Sequence, residues 1–412
     1  MPGSVIVAGA RTPIAKLSGA LAGFSATDLG GLAIAAALAR AGVAPDQVDY
    51  VYMGQVVLAG AGQNPARHAA HKAGIPLTTP AATISKVCLS GLNAVYLADQ
   101  MIAAGDADVV VAGGQESMTA APHLLPGARG GYRIGHATVY DAMMYDGLED
   151  AFSHAAMGAT SEWDLAAFPA VTRARQDEWA AQSHERAAAA IKEGRLASEI
   201  VAVEVPQRRG EAVTFDTDEG VRPGTTASAL GALQPAFSAG SAGGSGAGSA
   251  GGSITAGNAS QISDGASALV LMSPAAAARA RGCTGGEGVA PLGEVVGYGQ
   301  VAGPGTCLMT QPSHATTVAL GRAGLSLADV GLFEWNEAFA AVTLASIDDL
   351  GVDPQLVNVN GGAVALGHPI GATGNRLALT LCHELGRRGG GVGVAALCGG
   401  GGQGDALVVR VA

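Results

Sequence analysis

Residues 41–52 read AGVAPDQVDYVY, and residues 323–334 read AGLSLADVGLFE. Both stretches begin with Ala-Gly, continue through a short polar segment and end in an apolar run, and the second lies 282 positions after the first. This repeat predicts two similar halves, one near each end of the chain. The same offset places Gly54 opposite Asn336.

Apolar runs that end in glycine agree with this duplication. Residues 109–112 read VVVA and are followed by two glycines, while residues 393–397 read GVAAL and are followed by Cys398. Uninterrupted apolar runs of this kind are typical of buried parallel strands, and the Ala- and Leu-rich residues 28–40 predict a helix. The alternation predicts an α/β fold class.

Two reactive side chains precede predicted helices. Cys88 lies in KVCLSG (residues 86–91), where exposed helical N–H groups would stabilise a thiolate. His368 opens HPIGATG ahead of a helix predicted over 375–385. Taken alone, Cys88 fits a buried apolar cysteine equally well, and His368 fits a structural histidine. Because the two residues occupy similar places in the two halves, a pseudo-twofold axis would bring them together.

A third reactive side chain, Cys398, begins CGGGGQG. Its glycines form a GxGxxG pattern, but residues 405–409 predict a strand, whereas a dinucleotide fingerprint requires a helix there. We therefore expect a backbone loop whose N–H groups face an oxyanion. His383-Glu384 lacks the second histidine of a zinc motif, and three further cysteines are interpreted as structural: Cys283, Cys307 and Cys382.

Composition limits the partners and the compartment. At 412 residues, two or three domains are expected. A net charge of −11 argues against nucleic acid, although helix N-termini would still bind a small anion. Five cysteines without a CxxC pair favour reduced thiols and a cytoplasmic location. The N-terminus lacks signal-peptide features, and no apolar run is expected to span a membrane.

The middle of the chain departs from the alternating pattern. Residues 120–251 contain much of the charge, Trp163, Trp179 and an amphipathic helix predicted over 175–193. The Gly/Ser/Ala run at 238–253 is interpreted as a flexible surface loop, a tolerated insertion without catalytic meaning.

Considered together and in order, these motifs resemble the thiolase family over nearly the whole chain. The resemblance rests on the Cys88 motif, NEAF at 336–339, GHPIG at 367–371 and CGGGG at 398–402, with GGQESM at 113–118 and TAGNAS at 255–260 in support. It implies two duplicated α/β halves packed as an α/β/α/β/α sandwich, plus an inserted loop domain. The implied divisions are residues 1–119 completed by 252–274, a coenzyme A and oligomerisation region at 120–251, and residues 275–412.

The resemblance also implies catalytic roles. Cys88 is the expected acyl-carrying nucleophile, His368 activates it, and Cys398 is the acid/base that moves the α-proton. Asn336 is expected to hold a water that stabilises the enolate oxygen together with the His368 ring. The N–H groups of Cys88 and Gly400 are expected to form a second oxyanion hole.

Binding residues follow from the same resemblance. Coenzyme A thioesters are the implied substrates, with no tightly bound cofactor and no metal. Ser260, in the same segment as Ala256, is expected to contact the pantetheine arm, and Arg222 the adenine. Three residues are expected to line the acyl pocket: Met157, Met309 and Phe339.

The chain departs from the family pattern in three places, one of which is the Gly/Ser/Ala run at 238–253 in place of a short connection. Leu89 follows the nucleophile where many members carry a small residue, so we expect it to narrow the substrate passage. Ala156 replaces a histidine that several members have before Met-Gly, and His154 lies two residues away.

Within the family, residues 116–123 and GYRIG at 131–135 look like the biosynthetic, acetoacetyl-CoA type. The second segment matches a loop that joins dimers into tetramers, so a homotetramer is expected. The implied reaction is condensation of two acetyl-CoA molecules to acetoacetyl-CoA and CoA. Short-chain specificity is a hypothesis motivated by Met157 and Met309.

Three other functions remain open at this point. A degradative 3-oxoacyl-CoA thiolase would keep the same residues around a wider pocket. A non-catalytic thiolase-like lipid carrier would not need two placed thiols. A decarboxylating ketosynthase shares the general fold but uses one cysteine with two histidines or His/Asn, so Cys398 argues against it.

Overall fold

The computed structural model describes residues 3–237, 251–283 and 291–412, with residues 281–283 described as backbone only. Most of the predicted flexible run, residues 238–250, lies outside the described residues. The strands are β1 Val5–Arg11, β2 Ala15–Lys16, β3 Tyr50–Gly54, β4 Ala81–Ile84, β5 Val109–Ser117, β6 His123–Leu124, β7 Tyr140–Asp141, β8 Val203–Val205, β9 Val213–Phe215, β10 Ser263–Met272, β11 Gly293–Ala302, β12 Val330–Trp335, β13 Gly391–Gly399 and β14 Gln403–Val411. The helices are α1 Ala26–Ala41, α2 Pro65–Lys72, α3 Ser90–Ala104, α4 Met157–Asp164, α5 Arg173–Lys192, α6 Ala227–Gly231, α7 Pro274–Cys283, α8 Gln311–Ala323, α9 Ala340–Leu350, α10 Ala363–Leu366 and α11 Thr373–Arg387.

One large mixed sheet runs through the molecule in the order β12-β13-β14-β11-β1-β10-β5-β3-β4. Its two halves are joined at a narrow seam, where β1 pairs antiparallel with β11 through Val5 and Ile6. Among the strands of the described residues, only β3, β4 and β5 in one half and β12 and β13 in the other are parallel. The expectation of parallel strands was therefore wrong for the remaining pairs, because β10 and β14 return antiparallel beside β5 and β13.

Helices cover both faces of each half and separate the halves in the middle. Helices α1 and α2 pack on the outer face of the first half. Helices α3 and α11 fill a central layer against both halves, and α8 and α9 cover the outer face of the second half. These layers form the thiolase-like α/β/α/β/α arrangement.

The duplication seen in the sequence is a duplication of structure. The Ala-Gly that opens each repeated stretch is a helix end, because Gly42 and Gly324 terminate α1 and α8 with φ of 64° and 67°. Glycine is favoured there because a Cβ is strained in the left-handed region. The 282-residue offset also aligns β5 with β13 and α3 with α11 to within one residue.

The central helix α3 explains why hydropathy alone misleads here. Residues 87–104 are long and apolar enough to cross a bilayer. This segment is not an uninterrupted apolar run, because it contains Ser90, Asn93, Asp99 and Gln100, so the expectation that no such run reaches membrane-spanning length is unaffected. In the fold this segment is a core helix, with Leu92, Val95 and Ala98 fully buried between the two sheet halves.

Candidate active site

Cys88 lies on a strained turn between β4 and α3. The preceding residue, Val87, has φ of +50°, a conformation that costs a β-branched residue about 1–3 kcal/mol. Ser90 holds the turn: its hydroxyl accepts the Lys86 N–H at 2.8 Å and donates to the Val87 carbonyl at 2.6 Å. The thiol is therefore presented at the start of α3 by a fixed backbone.

The start of α3 meets the start of α11. A Cβ added to Gly91 would lie 2.8 Å from the carbonyl oxygen of Gly371 and 2.9 Å from the amide nitrogen of Asn375. Such a close approach requires glycine at position 91. The Cys88 and His368 segments thus converge, as the pseudo-twofold relationship requires.

Cys398 ends β13 and opens a tight hairpin with β14, in which it pairs with Gly404. A Cβ added to Gly399 would lie 2.6 Å from Cγ of Leu89, and one added to Gly400 would lie 3.2 Å from Cγ1 of Val87. The glycine loop therefore packs directly on the turn that carries Cys88. The hairpin also explains why the GxGxxG pattern marks no dinucleotide site.

Leu89 differs from expectation. Its side chain is fully buried in the central layer and packs against Gly399. The expectation that it narrows the substrate passage was wrong, because it fills space between the two thiol-bearing loops.

The thiol of Cys88 is half-buried and neutral at physiological pH. Burial raises its pKa to about 12, and the negative charge of Glu116 acts in the same direction. Two backbone N–H groups, its own and that of Gly400, oppose this rise by hydrogen bonding to the sulfur. An anion at this position therefore meets two preorganised donors.

Hydrogen bonds select the tautomer of His368. The Thr373 hydroxyl donates to the Pro369 carbonyl at 3.0 Å, so it must accept from Nδ1–H of His368, 2.7 Å away. Nε2 consequently carries the lone pair, and the amide nitrogen of Asn336 lies 3.3 Å from it. The ring is oriented as a base by its partners.

The same ring is kept uncharged. Burial, followed by the charge of Arg376, lowers the pKa of His368 to about 3. Asn336 is fully buried, and its side-chain oxygen has no hydrogen-bond partner. A polar acceptor of this kind, left free in a buried site, suits a bound water or a substrate donor.

Cys398 lies in an apolar cluster with the residues expected to form the acyl pocket. Burial raises the pKa of its thiol, and the charge of Cys88 raises it further. Met309 and Phe339 share its buried cluster, and Met157 packs against it. Cys307, expected to be merely structural, hydrogen-bonds Asp164 and also raises the pKa of Cys398, so it lies nearer the site than the sequence suggested.

Only some of the residues expected to bind coenzyme A lie beside the site. The Ser260 N–H donates to the Ala338 carbonyl at 3.0 Å, which fixes Ser260 beside the NEAF segment. Ala256 and Arg222 are exposed. The Arg222 N–H donates to Nδ1 of His184 at 3.2 Å.

His154 does not replace the histidine that is absent at Ala156. Ala156 precedes the first turn of α4. His154 is exposed, has φ of +54°, and lies 3.4 Å from a carboxylate oxygen of Glu149.

Sequence reasoning gave no role to several residues that support the site. Thr373 lies in the HPIGATG motif and Glu116 in the GGQESM segment, but neither pattern indicated a role for these side chains. Lys86, which is partly exposed, forms an ion pair with the buried Asp405 that no local pattern indicates. The one available signal was Glu116 itself, a carboxylate near the end of a strand that begins with an apolar run.

Within the described residues, no three His, Cys, Asp or Glu side chains converge as a metal site. The four cysteines with described side chains are free: Cys88, Cys307, Cys382 and Cys398.

Comparison with known proteins covers the whole chain. The family model described as thiolase, N-terminal domain, matches residues 4–275, and that described as thiolase, C-terminal domain, matches residues 289–411. A probable acetyl-CoA acetyltransferase of Mycolicibacterium smegmatis is 54% identical over 408 residues, covering 98% of this chain and 100% of that protein. One from Mycobacterium tuberculosis is 54% identical over the full length of both chains. An acetyl-CoA acetyltransferase of Pseudomonas aeruginosa is 49% identical over 405 residues, covering 98% of each.

Proposed function

Because this chain belongs to the thiolase family and is therefore an acyltransferase, we propose that it condenses two acetyl-CoA molecules reversibly to acetoacetyl-CoA and CoA. The observation that carries the proposal is the contact between the two halves at the nucleophile, where the Gly400 N–H reaches the sulfur of Cys88. Donors fixed where negative charge develops are the largest single source of catalysis in acyl transfer. The printed names of the relatives support acetyl-CoA as the substrate.

The first half-reaction acetylates Cys88. Nε2 of His368 takes the thiol proton, and the thiolate attacks the carbonyl carbon of acetyl-CoA. The N–H groups of Cys88 and Gly400 stabilise the tetrahedral oxyanion. The carbon–sulfur bond to CoA breaks, and the departing CoA thiolate takes the proton of Cys398. The site then holds an acetyl thioester, an imidazolium and the Cys398 thiolate.

The second half-reaction forms the carbon–carbon bond. The Cys398 thiolate removes an α-proton from a second acetyl-CoA, and Asn336, through a bound water, stabilises the enolate oxygen together with the His368 ring. The enolate attacks the acetyl group, Cys88 leaves as thiolate, and His368 returns its proton.

We also propose short-chain specificity, since Met157, Met309 and Phe339 pack into the same apolar cluster as Cys398. Ser260, Ala256 and Arg222 are proposed to contact the coenzyme A arm. A cytoplasmic location and a homotetramer, held by the exposed loop around Tyr132 and Ile134, complete the proposal.

The test is thiolysis of acetoacetyl-CoA by free CoA, followed by loss of enolate absorbance. We expect turnover in the wild type and its loss in both Cys88→Ala and Cys398→Ala. Cys382→Ala is the matched control, because this thiol lies beside Gly293 at the start of β11, nine residues along α11 from Thr373, and it should retain turnover.

Chain length separates this function from its alternatives. A 3-oxoacyl-CoA series from four to ten carbons should show a steep fall in kcat/KM with length. Efficient cleavage of the longer substrates would instead establish a degradative thiolase. Tight binding without turnover on any substrate would establish a carrier.

A further inference from the structure

Glu116 occupies, in the first half, the place that Cys398 occupies in the second. Their strands β5 and β13 are related by the 282-residue offset of the sequence repeat. Glu116 pairs across the sheet with Gly265, as Cys398 pairs with Gly404. The ends of these two matching strands both meet the site loops, since Glu116 accepts a hydrogen bond from Gly371 and Gly399 packs on Leu89.

Three backbone N–H groups converge on the Glu116 carboxylate. Its Oε2 accepts from Val56 at 2.9 Å and from Gly371 at 2.9 Å, and its Oε1 accepts from Val57 at 3.1 Å. The side chain is fully buried. Gly371 is three residues after His368, and a Cβ there would lie 2.8 Å from Oε2 of Glu116, so this loop is seated against the carboxylate.

The three N–H groups that donate hydrogen bonds to Glu116 come from two different parts of the chain. Val56 and Val57 follow β3 in the first half, whereas Gly371 belongs to the His368 loop of the second half. A carboxylate is the side chain suited to this position, because it offers two acceptor oxygens and no donor. Charge-assisted bonds of this type are shorter and stronger than neutral ones.

Cys88 packs against the apolar cluster that contains Val56 and Val57, the two residues after β3 whose N–H groups hold the carboxylate. We propose that Glu116 is a positioning residue that clamps the His368 loop to the loop after β3, and that its negative charge acts on Cys88 across this cluster. The proposal rests on the proposed function in treating this region as a catalytic site, but its test does not depend on that function. In catalysis it would give the imidazole a fixed position, because small misplacements of a reacting group cost about 100-fold in rate.

The electrostatic half of the proposal has a defined pH window. Burial raises the pKa of Glu116 to about 7, with the three N–H groups acting to lower it and Asp264 on β10 acting to raise it. The ionisable groups that face it are thus Asp264 and Cys88. Above about pH 7 the carboxylate is charged and opposes a thiolate at Cys88; below that pH the opposition fades.

Glu116→Gln tests both effects. The amide keeps the length of the side chain, but it removes the charge and turns a donor toward a backbone N–H. Alkylation of Cys88 by iodoacetamide is measured from pH 6 to 9 by mass spectrometry of the peptide that contains it, with the Cys398 peptide as an internal comparison. Thiolysis turnover is measured in parallel.

The expected signature is faster alkylation confined to Cys88 and to high pH, together with slower turnover, whereas a loosened fold would also speed alkylation of Cys398 and would do so at every pH. Above pH 8, Cys88 alkylation in Glu116→Gln should be about 3- to 10-fold faster than in the wild type, while turnover is about 10- to 100-fold slower. Both differences should shrink toward pH 6, where the wild-type carboxyl is protonated. Unchanged alkylation, or unchanged turnover, across the pH range would overturn the proposal.

Glu116→Asp separates charge from geometry. It keeps the carboxylate but withdraws it by one methylene from the three N–H groups. Turnover should fall while the pH dependence of Cys88 alkylation stays that of the wild type; a wild-type turnover here would overturn the clamp. Should Glu116→Gln not fold, this variant decides alone. Loss of the proposed function would be recognised separately, because the wild type would then alkylate at Cys88 without cleaving acetoacetyl-CoA.

Discussion

Nζ of Lys86 lies 2.8 Å from Oδ1 and 3.0 Å from Oδ2 of Asp405, across 319 positions of sequence. Lys86 is two residues before Cys88, and Asp405 follows the glycine loop that begins at Cys398. The carboxylate side chain is fully buried and also accepts a hydrogen bond from the Tyr298 hydroxyl. This ion pair therefore fastens one thiol-bearing loop to the other.

Breaking that pair should cost both stability and activity. Burial raises the pKa of the Asp405 carboxyl, and the charge of Lys86 offsets that effect. In Lys86→Met this cation is lost. We expect a loss of about 3–5 kcal/mol in the free energy of unfolding, and a lower kcat. Lys86→Met/Asp405→Asn should lose less than the sum of the single variants, as urea denaturation would measure. Additive losses would mean that the pair does not couple the loops.

Thr373→Val should impair the base without disturbing binding. Valine is nearly isosteric but offers no acceptor to Nδ1–H of His368, so the imidazole loses the bond that selects its tautomer. We expect kcat to fall about 10- to 100-fold with little change in KM. Thr373→Ser, which keeps the hydroxyl, should stay close to the wild type. An equal loss in both variants would point to packing rather than to the hydrogen bond.

Local sequence patterns were sufficient for the elements that carry the site. The helices expected over 28–40, 175–193 and 375–385 begin and end within two residues of α1, α5 and α11. At α1 the success follows from the capping residue Ser25 and the terminal Gly42, because such signals act over a few residues. The repeat was informative for the same reason, since each copy contains a helix end and the strand that follows it.

Long-range relationships were not accessible in this way. The seam between β1 and β11 rests on two residue pairs, and antiparallel β10 and β14 carry the same apolar runs as parallel strands. The Lys86–Asp405 pair joins residues that no periodicity relates. Glu116 is polar in sequence, and only the folded chain supplies the three N–H groups that allow its burial.

Acid should destabilise the fold through two buried histidines. Burial lowers the pKa of His368 to about 3 and that of His184 to about 4, whereas both titrate near 6.5 when unfolded. The unfolded chain thus binds more protons below pH 6.5, so stability is full above that pH and falls as the pH is lowered. Each histidine should cost roughly 2 kcal/mol by pH 5.

Urea denaturation at pH 7, 6 and 5 would measure this effect, with His184→Gln as the matched variant. Glutamine keeps an acceptor for the Arg222 N–H but does not titrate, so its stability should fall less between pH 7 and 5. The raised pKa of Glu116 acts in the opposite sense in both proteins and cancels in the comparison. Parallel pH dependences for the two proteins would contradict the assignment of His184 as neutral.

The effects of side-chain size at positions 89 and 399 should be coupled, because Leu89 and Gly399 are in contact. A methyl group at position 399 would lie 2.6 Å from Cγ of Leu89, so Gly399→Ala should cost about 1–3 kcal/mol and slow turnover by shifting the Cys398 loop. Leu89→Ala alone should cost about 2–5 kcal/mol, because it leaves a cavity in the central layer. In the double variant the new methyl enters that cavity, so Gly399→Ala should cost far less in the Leu89→Ala background, and turnover should partly return. Equal costs in the two backgrounds would show that the loop tolerates the methyl by moving elsewhere.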